Sequence, residues 1–147
     1  MSQKSDKALE LFIEGQFCSQ AVLSAFCEDI GITPEMALKM ASGFGGGMGR
    51  MGEVCGAVTG AFLALGLHDW QASSASPEDK NKVTARVRDF TTRFKQKYGS
   101  IVCRDLLGCD LGQPEGYQEA MDKGAFVSVC RPVVEDAAKI LEDMLNE

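Results

Sequence analysis

A chain of 147 residues is long enough for one domain with one substantial core. Its 45% hydrophobic and 24% charged residues are the make-up of an ordinary globular protein. A net charge of −6, with a pI of about 4.8 and no basic stripe, repels phosphate backbones and excludes nucleic acid as an expected partner. The N-terminal "MSQKSDKALELF" is charged and amphipathic, without the apolar core of a secretory signal, so a cytoplasmic location is expected.

In chain order the pattern is helical. Ser5 or Asp6 is placed to cap a first helix that buries Leu9, Phe12 and Ile13 and ends at Gly15. A second helix is predicted from Cys18 to Asp29, with Ala21, Val22, Ala25 and Phe26 on one face. Thr33-Pro34-Glu35 supplies an N-cap, a proline at the first helical position and an acid in the first turn. That third helix should turn Met36, Met40 and Ala41 inward before a run holding six glycines between Gly43 and Gly52. A fourth helix is predicted from Glu53 to Leu65. The apolar stretch Val54–Leu67 covers 14 residues, whereas a membrane span needs ~20, so it reads as a buried central helix and no membrane insertion is expected.

Ser76-Pro77-Glu78-Asp79 repeats the cap-and-proline signal. Val83, Val87, Phe90 and Phe94 follow as an amphipathic stripe. Gly99-Ser100 ends that helix and starts a short one through Leu107, a weaker helix follows Pro114, and Pro132 opens a last helix burying Val134, Ala137, Ala138, Leu141 and Leu145. No segment alternates over enough residues to make a strand. The expected fold is all-α: a single-domain bundle of six to seven helices over residues 1–147, with a Gly-rich loop before the buried helix.

The chemistry lies in the six cysteines. Cys18, Cys55, Cys103 and Cys130 fall at or near four predicted helix starts, where unpaired amides and the positive end of the dipole favour thiolate. Thiolates are the nucleophilic and metal-binding form, and free amides also bond to cluster sulfurs. Cys27, inside its predicted helix, and Cys109, in a loop, suit an ordinary role as small buried hydrophobes. No cysteine pair is separated by two residues, so zinc ribbons, thioredoxin-type pairs and haem attachment are absent as local motifs.

The segments "GQFCSQAVLSAF" (15–26), "SGFGGGMGRMGEVCGAVTGAFLALG" (42–66), "YGSIVCRDLLGCDL" (98–111) and "VCRPVVEDAAKILEDML" (129–145) resemble the C_GCAxxG_C_C family of redox-active proteins. Similar sequences occur beside a haem-binding part in split-Soret cytochromes, although this chain has no haem attachment motif. The family's four cysteines correspond to Cys18, Cys55, Cys103 and Cys130. Val54-Cys55-Gly56-Ala57-Val58-Thr59-Gly60 matches the CGAxxG variant of the motif, and Cys27 and Cys109 are additions to the pattern. The resemblance implies a redox role with a bound prosthetic group of iron–sulfur type.

The expected function is therefore a small iron–sulfur protein, an electron carrier or redox sensor working with a redox protein partner. Cys18, Cys55, Cys103 and Cys130 are the expected metal ligands, and Gly45, Gly46, Gly47 and Gly56 let backbone approach the cofactor. A thiol/disulfide-exchanging enzyme and a structural zinc module with the same four thiolates stay open as alternatives. The glycine run lacks the preceding strand and the lysine-serine pair of phosphate loops. Arg50, Arg104 and Arg131 are placed to offset a cluster's negative charge. The lone His68 reads as a solvated loop residue rather than a ligand. Gly56 and Gly60 share a helix face that permits close contact, with a second copy as one possible neighbour.

Overall fold

The fold is described from a computed structural model that covers residues 3–147. Among these residues there are nine α-helices and no strand: α1 (Gln3–Ile13), α2 (Cys18–Ser24), α3 (Cys27–Ile30), α4 (Pro34–Ala41), α5 (Gly56–Asp69), α6 (Pro77–Tyr98), α7 (Cys103–Leu107), α8 (Pro114–Lys123) and α9 (Arg131–Leu145). The all-α expectation holds. No helix of the described residues is long and apolar enough to cross a membrane.

The helix count exceeds the expected six to seven because the predicted Cys18–Asp29 helix is two. The Phe26 amide bonds to the Leu23 carbonyl, tightening the last turn, and Phe26 leaves helical geometry at φ −111°, ψ 14°. A second short helix then starts at Cys27, which is thus also a helix start rather than a mid-helix residue. Thr33 and Ser76 cap α4 and α6 as their sequences predict, their hydroxyls accepting from the amides of Met36 and Asp79. Neither Ser5 nor Asp6 caps α1, which is already helical at Gln3.

α5 begins later and ends later than its pattern suggests. Glu53 and Val54 are held extended instead: Val54 bridges Val102, the Cys55 amide bonds to the Ile101 carbonyl at 2.7 Å, and the Cys103 amide bonds to the Glu53 carbonyl at 2.6 Å. This short pairing fixes the start of α5 beside the start of α7. As a helix apolar on every side, α5 is surrounded; α2, α6 and α9 pack on it, and α1 packs on α9 and α2. Phe26, Phe90, Phe94, Leu23, Leu65 and Leu141 are its fully buried neighbours and members in the core. Met36 and Ile13, expected inside, are instead about half exposed (49% and 52%), because Ala37 and Ala41 of α4 and Ser5 and Ala8 of α1 make the close contacts.

The predicted self-association face is used within the chain. A Cβ on Gly60 would lie 2.6 Å from the Ser19 carbonyl oxygen, and one on Gly56 would lie 3.0 Å from the Ser19 amide. The Gly56–Gly60 face therefore seats α2, leaving no room there for a second copy.

Candidate redox site

One cavity of about 250 Å³ is walled by Cys18, Cys55, Cys103 and Cys130 together with a largely apolar shell: Phe12, Phe17, Leu106, Leu107, Leu111, Phe126, Val129 and Val133. Each cysteine arrives on a different element. Cys18 is the first residue of α2, Cys55 the cap residue of α5, and Cys103 the first residue of α7. Cys130 departs from expectation. It closes a π-helical turn, Phe126–Cys130, that runs directly into α9, so its backbone is helical and it does not sit at a free helix start. The wide turn carries the thiol to the cavity without breaking the helix.

Two glycines make the convergence possible. A Cβ on Gly47 would stand 2.8 Å from the Cys103 Cβ, and one on Gly56 would stand 3.2 Å from the Cys18 Cβ. Gly46 and Gly47 both line the cavity, and their amides make no hydrogen bond within the described residues. Gly45 does not line it; a Cβ there would strike the Phe17 ring at 2.2 Å, so this glycine seats the ring instead. Gln16, also on the wall, has a buried Oε1 with no hydrogen-bond partner among the described residues.

The electrostatics differ from the helix-start expectation. Burial pushes the Cys55 thiol up to about 11, although its sulfur accepts from the amides of Ala57 and Val58, which pull the other way. Burial, then the nearby Cys55 and Cys130, push Cys103 up to about 12, against the Arg104 charge. The Cys18 thiol is also raised, first by donating to the Cys130 sulfur and then by burial; Cys130, accepting that bond, is lowered. Thus amide donors act at Cys55, where burial outweighs them, while burial leads at Cys103 and the bond to Cys130 leads at Cys18. Four thiols that oppose one another's ionisation are neighbours in one enclosure.

Cys27 and Cys109 lie elsewhere. Cys27 is buried in the main core, and Cys109 packs with Leu107, Leu111 and Ala120 beside Glu119 and Lys123. His68 is at the far end of α5, its Nδ1 2.7 Å from Asp69 Oδ1. Of the three arginines, Arg104 pairs with Glu53 at 2.7 Å and Arg50 reaches the cavity wall.

The family model described as "Putative redox-active protein (C_GCAxxG_C_C)" matches residues 16–144. The chain belongs to this family. No curated protein and no solved structure matches it. The C_GCAxxG_C_C match runs from just before Cys18 almost to the end of α9, so all of the cavity wall except Phe12 and Gly15 falls within it.

The aromatic part of the wall was not foreseen from sequence. Phe17 adjoins Cys18 and had that signal, but Tyr117 and Phe126 sit on α8 and the π-turn, whose patterns single out no inward side chain.

Proposed function

We propose that this redox-family protein holds an iron–sulfur cluster through Cys18, Cys55, Cys103 and Cys130 and exchanges electrons with a redox protein partner. The observation that carries the reading is the meeting of these four thiols, drawn from four separate segments, in one apolar cavity that excludes Cys27 and Cys109. Four thiolates are the usual donor set of a [2Fe–2S] or [4Fe–4S] cluster. When bound, the cluster would supply one-electron transfer.

The rest of the wall fits that guest. The free amides of Gly46 and Gly47 would donate to acceptor atoms in the cavity. The apolar shell would keep water away and so set the potential. A single zinc ion is a poorer fit: it needs its sulfurs ~2.3 Å away on every side. Thiols spread around a cavity suit a guest with several metal atoms.

A second reading rests on the Cys18–Cys130 hydrogen bond. The two thiols would give two electrons and two protons to a partner disulfide, forming one S–S bond here and releasing two thiols there.

Anaerobic purification, a visible spectrum, and assays of iron, acid-labile sulfide and zinc decide between these. Charge-transfer absorption with iron and sulfide in whole-number ratio is the expected result. Colourless protein without iron or sulfide would overturn it; stoichiometric zinc would put the structural zinc module in its place. Serine at Cys18, Cys55, Cys103 or Cys130 should abolish binding, and serine at Cys27 or Cys109 should not.

A further inference from the structure

Of the cavity's wall residues, only Gly15, Arg50 and Tyr117 are exposed, so they form its mouth. The Arg50 guanidinium lies 5.4 Å from the Phe17 ring centroid and 5.7 Å from that of Tyr117, and so spans the opening from the α2 side to α8. It forms no ion pair with a carboxylate of the described residues. We infer that Arg50 is the latch of the cavity: by bridging Phe17 and Tyr117 it holds α8 over the mouth and controls how fast small reagents reach the four thiols.

The backbone is arranged around this side chain. Gly46, Gly47, Met48, Gly49 and Arg50 all have left-handed φ, from 59° to 76°. An L-residue adopts that conformation at a cost, and it persists where its surroundings over-determine it. Arg50 bears this strain at φ 59°, with its stem laid across Gly46; a Cβ on Gly46 would come within 2.7 Å of Arg50 Cγ.

α8 needs such a tie. Ala120 is the one buried residue of that helix, and its cavity edge is held by Tyr117, whose ring leans on Phe126 at 5.7 Å and receives Arg50 on its other contact. Two exposed cation–π contacts of ordinary strength shift an opening equilibrium by about five- to thirtyfold.

The latch rests on the proposed cluster only for what it protects, so it is tested on the thiols themselves. The anaerobically purified protein is stripped of metal by chelation under reducing conditions and treated with N-ethylmaleimide, and alkylation of each cysteine is followed by peptide mass spectrometry. Arg50→Gln keeps the length of the side chain, Arg50→Gly relaxes the backbone, and Lys82→Gln on exposed α6 is the control. The four cavity thiols should react about five- to thirtyfold faster in both Arg50 variants, with Cys27 and the control unchanged; Cys109, packed against Ala120 of α8, should follow the helix. Loss of a cation alone would slow alkylation by disfavouring thiolate, so acceleration reads access. Cavity thiols reacting at the wild-type rate, or Cys27 accelerating along with them, would overturn the latch. Iron and sulfide assayed before stripping report separately on the cluster.

Discussion

Gly60→Ala is the sharpest test of how the site is held. A Cβ at this position would stand 2.6 Å from the Ser19 carbonyl oxygen, 3.1 Å from its Cα and 3.2 Å from its carbonyl carbon. All three are backbone atoms, so no rotamer change relieves the overlap; α2 must move away from α5 by several tenths of an ångström. Overpacking of this kind costs ~1–3 kcal/mol, against a helix-propensity gain of ~1 kcal/mol on replacing glycine. Because the clash is with backbone the cost lies toward the upper end, and the net loss is expected at up to ~2 kcal/mol, or up to about 8 °C in Tm. Because Cys18 rides on the first turn of α2, the same displacement draws it from Cys55 and should lower retention of the proposed cluster. Gly66→Ala in the same helix is the comparison: its Cβ would meet nothing within 4 Å, so only the propensity gain remains and the variant should be stabilised by ~0.5–1 kcal/mol. Thermal and urea unfolding of both variants, with iron content measured alongside, decides the matter. A Gly60→Ala protein as stable as Gly66→Ala would refute the close α2–α5 seating.

Other outcomes follow from the buried polar contacts. Asp69 is almost wholly buried and takes Arg86 Nε at 2.8 Å, while Arg86 also donates to the Met144 carbonyl at 2.9 Å; Arg86→Met should cost ~3 kcal/mol in urea unfolding by stranding that carboxylate. Burial pushes the Asp69 carboxyl up, but hydrogen bonds from His68 and Arg86 outweigh it, leaving its pKa below the ordinary value. The stability this gives is complete above the unfolded-state pKa of ~3.9 and is lost as pH falls through the lower folded value. Unfolding of Asp69→Asn and wild type should therefore differ clearly at neutral pH and draw together as pH falls below the ordinary Asp pKa of ~3.9; a gap that widens in acid would contradict the assignment. Tyr98 donates to Asp136, which also pairs with Lys97 at 2.7 Å, so Tyr98→Phe should lose ~1–2 kcal/mol without affecting cofactor content.

Most helices were legible because their signals are local. Thr33-Pro34 and Ser76-Pro77 act over one turn, and the α6 stripe needs only its own residues to be recognised. The cysteine set was legible through the order and flanking residues of four segments, yet the reason proposed for it was incomplete. Helix-start amides do reach Cys55, but its burial, which no spacing encodes, sets the direction of its titration. The late start of α5 was illegible because it depends on partners far along the chain, Ile101 and Val102, and the break after Ala25 because the tightened turn at Phe26 carries no Gly or Pro to signal it. Gly45 looked like Gly46 and Gly47 in sequence, and only the position of the Phe17 ring separates them.

The four cavity cysteines are separated by 37, 48 and 27 residues along the chain. Any group bonded to all of them would act as a four-way cross-link, closing three long loops and removing much of the freedom of the unfolded chain. Its loss would then be felt well beyond the cavity, as a lower barrier to unravelling and quicker proteolysis. The amount of intact protein in a cell would itself become a record of how much of it is loaded.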